Sequence, residues 1–142
     1  MINAVPLTIR LEGKLPSGKN QIRIAIVRGR VMKFPDARFK AWRKDAWEQI
    51  RVQRGRWRTM EGPGRATVTY TPGDLIARDV PGIMDAICHL LERCPCCDSR
   101  EARKVCPAPI VRDDKFLRDW TFHTMPLNRK APGALISITE YS

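Results

Sequence analysis

Acidic side chains are scarce in this sequence. Asp and Glu number 15 against 26 Lys and Arg, which leaves a formal net charge of +11 over 142 residues and a pI near 10.0. That surplus exceeds what solubility needs and points to a polyanionic partner, nucleic acid first. Long apolar runs are missing too: none approaches the ~20 residues that span a bilayer, and the opening MINAVPLTIRLEGK has no signal-peptide hydrophobic core. No membrane partner is therefore expected, and a cytoplasmic location is. Internal repeats and low-complexity stretches are absent. Hydrophobic residues make up 43% and charged residues 29%, the composition of a folded chain, and the length suits a single domain over residues 1–142.

Cysteine is confined to one window. The five cysteines, Cys88, Cys94, Cys96, Cys97 and Cys106, are not spread through the chain as a disulfide framework would spread them. Such clustering argues for metal or redox chemistry in a reducing compartment.

What is present reads as alternating strands broken by two helices. Leu7, Ile9 and Leu11 alternate along VPLTIRLE, and Ile22, Ile24 and Ile26 along IRIAIVR. Arg28-Gly29-Arg30 supplies a turn, so VMKF at 31–34 closes a hairpin. From Asp36, a candidate N-cap, to about Gln53 the spacing becomes helical, with Phe39, Trp42, Ala46 and Ile50 on one face and Trp47 at its edge. The opposite face carries Arg38, Lys40, Arg43, Lys44 and Arg51, either a solvated helix face or a contact for phosphates. RATVTYTP predicts a strand with Ala66, Val68 and Tyr70 on one side. Residues 80–93 predict a largely buried helix whose narrow polar stripe is Asp85, His89 and Glu92. Residues 94–109, CPCCDSREARKVCPAP, hold three prolines and four cysteines without periodicity, as a loop or small knuckle does. KFLRDWTFHTM and ALISITEY close the chain as two strands, the second with Ala134, Ile136 and Ile138 inward. The fold class expected is α+β, a mixed or antiparallel sheet with two helices packed against it.

In so basic a chain, Asp79, Asp85 and the pair Asp113-Asp114 around one apolar helix suggest a site for a hard divalent cation, which prefers carboxylate oxygens. The plainer reading is that Asp79 caps the helix and Asp113-Asp114 sit in a turn. Cys94, Cys96, Cys97 and Cys106 make a second candidate, a tetrahedral Zn²⁺ site in which His89 or Cys88 can replace Cys96. Its alternatives are free surface thiols or a redox disulfide.

Element order and residues together resemble the RusA-type Holliday junction resolvases, small dimeric Mg²⁺-dependent endonucleases of phages and bacteria. The likeness covers nearly the whole chain. LPSGKN resembles that family's early P-P-S-x-N turn, and LISITEY its closing strand. ARDVPGIMDAICHLLE followed by IVRDD resembles its central R-D-x-D-N signature, helix and D-D pair. Asp79 falls on the family's first aspartate and Asp114 on the later essential one, with Asp113 as neighbour. Pro81 stands where the family has its second aspartate, Asp85 where it has a lysine, and His89 at a position often held by aspartate. Where the family has a short link before the D-D pair, this chain has the cysteine-bearing insert at 93–112.

The resemblance implies a homodimer that hydrolyses phosphodiesters of four-way or otherwise branched DNA in recombination, repair or phage DNA processing. It places the protein in a bacterial or phage-infected cell. The catalytic set it implies is Asp79, Asp113 and Asp114; Asp85, about two turns into the helix, joins them as a relocated carboxylate in place of the ligand lost at Pro81, so Mg²⁺ or Mn²⁺ is expected on Asp79, Asp114 and Asp85. Arg78, Arg112 and Lys115 flank the acids and, with Arg43, Lys44 and Arg51, are the expected DNA contacts. The competing expectation is a structure-specific DNA-binding module that has lost cleavage and recognises DNA through the basic helix and a zinc-stabilised loop.

Overall fold

In the computed structural model, which describes residues 2–16, 22–35, 37–75, 80–97 and 100–142, the predicted alternation becomes strand register. Strands β1 (Leu7–Glu12), β4 (Gly64–Thr71), β5 (Leu117–Thr124) and β6 (Gly133–Glu140) form one mixed sheet in the order β1-β6-β4-β5. β6 runs antiparallel to both its neighbours, whereas β4 and β5 are parallel. A parallel pair needs a crossover connection, and here it contains helix α2 (Val80–Glu92) and the short helix α3 (Arg100–Val105). β2 (Ile22–Val27) and β3 (Arg30–Pro35) pair separately as the expected hairpin. Its turn has Arg28 at φ 52° and Gly29 at φ 75°, the left-handed pair that a two-residue hairpin loop requires.

Period-two patterning puts Ile9, Leu11, Val68, Ile136 and Ile138 on one sheet face, where all are buried. Helix α1 (Ala37–Gln53) lays Phe39, Ala46, Trp47 and Ile50 into the interior, and α2 adds Ile83, Ile87, Leu90 and Leu91. Each such aliphatic side chain contributes on the order of 1.5–3 kcal/mol by leaving water. The helices meet where Phe39 stands edge-on to His89, with ring centroids 5.2 Å apart. The other face, with Thr8, Arg10, Arg65, Thr67, Ser137 and Thr139, is polar and at least partly exposed. Gly133 starts β6 at φ +155°, where a Cβ would lie 2.2 Å from the Leu11 carbonyl oxygen, so no larger residue fits that crossing.

The free edge of β1 is closed by side chains. Gln53 of α1 accepts the Arg10 N–H at 2.7 Å and donates to the Arg10 carbonyl at 2.8 Å. Gln49 accepts the Glu12 N–H at 2.7 Å, so two amides occupy backbone positions that another strand would use.

Two expectations about elements change. The insert is not irregular throughout, because Arg100–Val105 close a helical turn and a half, with the Cys106 N–H bonded to the Ala102 carbonyl at 2.8 Å. β5 begins at Leu117, because Asp113 caps a 3₁₀ turn over Asp114–Phe116 by accepting the Lys115 N–H. Asp36, expected as the N-cap of α1, lies outside the described residues, as do Ser17 to Asn20 of the LPSGKN motif.

Candidate metal centres

Two groups of ligating side chains belong to one segment, with carboxylates at its ends, Glu92 and Asp113-Asp114, and thiols between them from Cys94 to Cys106. α2 accommodates Pro81 in its first turn, where a missing N–H loses no intrahelical bond. The helix carries its polar stripe down to Glu92 and ends as the Arg93 N–H reaches the His89 carbonyl at 3.1 Å. The chain then makes the insert and returns. Ile110 and Val111 donate their N–H groups to the Leu91 carbonyl at 2.9 and 3.1 Å. Met60 brackets the same stretch, donating to the Ile110 carbonyl at 2.9 Å and accepting from the Arg112 N–H at 3.0 Å. These bonds bring Asp113 and Asp114 beside the end of α2.

There, carboxylate oxygens of Glu92, Asp113 and Asp114 lie within 4.8 Å of one another. Glu92 occupies the negative end of the helix dipole, where a carboxylate is disfavoured by about 0.3–1 kcal/mol unless a cation is close. Asp113 has two tasks, since its Oδ1 also accepts the Lys115 N–H at 2.9 Å. Burial, followed by the hydrogen bond and charge of Asp113, holds the Asp114 carboxyl above the ordinary range. Cys88, facing this group from α2, has its thiol pushed up to about 12, first by burial and then by the charges of Asp114, Asp85 and Glu92. It is a packing residue rather than a nucleophile.

Of the acids expected here, Asp113 and Asp114 meet. Asp85 is exposed one helical stretch earlier and is not part of the three-carboxylate group. Asp79 and Arg78 lie outside the described residues. Glu92 completes the cluster and was legible only as a member of the α2 polar stripe. Among the expected DNA contacts, Lys44, Arg51 and Lys115 are exposed, and Arg51 pairs with Glu48 at 2.9 Å. Arg43 and Arg112 are half-buried and engage the Cys94 and Cys106 carbonyls. Arg112 also pairs with Glu61 at 3.3 Å.

The second group is the set of four thiols. Cys94, Cys96, Cys97 and Cys106 place their Sγ atoms within 4.8 Å of one another, with Cys94–Cys97 at 3.0 Å, Cys96–Cys106 at 3.3 Å and Cys94–Cys106 at 3.5 Å. Tetrahedral thiolates around Zn²⁺, each at ~2.3 Å from the ion, stand ~3.8 Å apart, so these sulfurs need only small adjustments to share one ion. None of the five cysteines is joined in a disulfide. Cys94 and Cys97 are buried, Cys96 exposed. Burial raises the thiols of Cys94 and Cys97. For Cys106 burial also acts upward, but the backbone at Ala108 and the neighbouring thiols outweigh it and bring it down to about 7. This set of soft donors is able to hold a structural metal such as zinc.

No helix among the described residues is long and apolar enough to cross a membrane. No family model matches the chain, and no curated protein is significantly similar to it in sequence.

Proposed function

We propose that this chain is a divalent-cation-dependent endodeoxyribonuclease of the RusA type, acting as a homodimer on four-way junctions and other branched DNA. The observation that carries the reading is the meeting of Glu92, Asp113 and Asp114, three hard donors gathered in a protein with a net charge of +11. Mutual repulsion and the helix dipole both oppose that gathering, and a bound cation would relieve both.

Glu92, Asp113 and Asp114 would hold Mg²⁺ or Mn²⁺, and the resemblance offers Asp79 as a further carboxylate. When bound, such an ion supplies Lewis-acid charge to a phosphate oxygen and acidifies water near neutral pH. Asp113 fixes the turn so that Lys115, exposed next to the acids, meets the DNA backbone. Lys44 and Arg51 on the outer face of α1 extend the positive surface that phosphates require. Two sites related by a dimer axis would suit a junction with two strands to cut.

The four thiolates of Cys94, Cys96, Cys97 and Cys106 would hold a structural Zn²⁺. Cleavage of an end-labelled synthetic four-way junction, compared between wild type, Asp114→Asn and Glu92→Gln, tests the nuclease reading. Mg²⁺-dependent nicking that falls in both variants, further in Asp114→Asn than in Glu92→Gln, supports it. Tight junction binding with no nicking by wild type at any Mg²⁺ or Mn²⁺ concentration would instead identify a DNA-binding module without catalysis.

A further inference from the structure

Three guanidinium groups converge on the backbone that carries the four thiols. Arg43, from the middle of α1, donates from Nη2 to the Cys94 carbonyl at 3.1 Å. Arg112 donates from Nη1 to the Cys106 carbonyl at 2.7 Å. Arg54, just beyond α1, donates to the carbonyls of Ala108, Pro107 and Trp57. Two indoles fasten the same segment at its ends, Trp47 Nε1 to the Arg93 carbonyl at 2.8 Å and Trp57 Nε1 to the Ile110 carbonyl at 3.0 Å.

A divalent ion with four thiolates carries a net charge of −2. Holding that charge partly out of water is costly unless cations or hydrogen-bond donors face it. Arg54 feels both effects: burial lowers its guanidinium, while charge on Cys94 and Cys106 acts in the opposite direction. Two disulfides are a poorer match for the sulfurs. A disulfide draws its pair to ~2.0 Å and leaves the other pair separate, whereas here all four sulfurs share one locus.

We propose that Arg43, Arg54 and Arg112 form the cationic outer layer of a Zn(Cys)₄ centre, and that this layer makes the bound ion a brace between α1 and the segment leading to Asp113. The inference rests on the zinc reading above and reassigns Arg43 and Arg112 from phosphate contact to metal retention. Because Trp47 and Trp57 donate to carbonyls at both ends of the segment, loss of the ion is expected to change their emission.

The test uses the full chain, purified with Zn²⁺ and studied without DNA or Mg²⁺. Zinc content is measured, and release of the ion to a chromophoric chelator is timed for wild type, Arg43→Met, Arg112→Met, the milder Arg43→Lys, and Arg51→Met as an exposed control. The expected result is about one Zn²⁺ per chain, with release at least ~10-fold faster in Arg43→Met and Arg112→Met, the lower end of the effect of losing an outer partner. Arg43→Lys should fall between, and Arg51→Met should match wild type, with tryptophan emission shifting in step with release. Co²⁺ added to metal-free wild type is expected to give thiolate-to-metal charge-transfer bands, a readout that needs no variant to fold. Wild type that retains no Zn²⁺ and gives no such bands overturns the zinc reading itself. Wild type with one Zn²⁺ per chain, whose arginine variants release it at the Arg51→Met rate, overturns the outer layer alone.

Discussion

The thiol group and the carboxylate group belong to one short segment, the thiols within it and the carboxylates at its two ends, yet they are assembled differently. The four cysteines come from residues 94–106, so the loop needs only its own folding and an ion to bring them together. The carboxylates come from the last turn of α2 and from a 3₁₀ turn 21 residues later, and they meet only because Leu91 and Met60 hold residues 110–112 in place. Ligands close in sequence are nearly a local property. Ligands brought by separate elements inherit the precision of the packing between those elements.

This difference predicts an asymmetry between the two centres. The largest effect should follow removal of zinc by chelator: Tm is expected to fall by at least ~10 °C, the shift that about 3 kcal/mol of linked binding gives a domain of this size. Cleavage should fall with it, because the segment ending at Asp113 loses its brace. Calorimetry with and without chelator checks the first, and junction nicking on the same samples the second. A preserved Tm would dissolve the distinction between the two centres.

Substitutions among the carboxylates should act in one direction only. Asp114→Asn is expected to reduce junction cleavage by more than ~100-fold, beyond the cost of losing an outer-shell partner because Asp114 is itself a ligand, while zinc content stays at the wild-type value. Glu92→Gln should cost about 10-fold and, by removing a charge from the helix C-terminus, add up to ~1 kcal/mol of stability measured by urea unfolding. Asp85→Asn, outside the cluster, should have the smallest effect on cleavage; a loss as large as that of Glu92→Gln would enlarge the site.

Acid titration sharpens the same contrast with the finest effect. Burial and Asp113 raise the Asp114 carboxyl in the folded state, so without a cation this group favours folding below the ordinary carboxylate range. That contribution is lost as pH rises through its folded value. Addition of Mn²⁺ opposes the loss, so the Mn²⁺-induced rise in Tm is expected to be small in acid and to grow as pH climbs through that value. A pH-independent Mn²⁺ effect would place the ion elsewhere.

The sequence was most readable where chemistry follows local period. Leu7, Ile9 and Leu11, or Ala134, Ile136 and Ile138, have one inward face in any strand, and the structure buries those faces as expected. The cysteine spacing was readable for the same reason. Arg100–Val105 was not, since six residues between Pro95 and Pro107 are too few to display a helical period. Glu92 was visible on the α2 stripe, but its meeting with Asp113 depends on backbone bonds to Leu91, and carbonyls leave no mark on residue type. Arg43 and Arg112 were read as phosphate contacts on the same grounds: a guanidinium declares its charge in the sequence but not the carbonyl it faces.

The two glutamines of α1 have a consequence for how copies of this chain can join. With β1 occupied by the Gln49 and Gln53 amides, β5 is the only terminal strand of the four-stranded sheet whose backbone has no such plug among the described residues. Molecules that extend this sheet through β5 use its one unplugged edge among the described residues, so growth of the four-stranded sheet by that route closes at a pair.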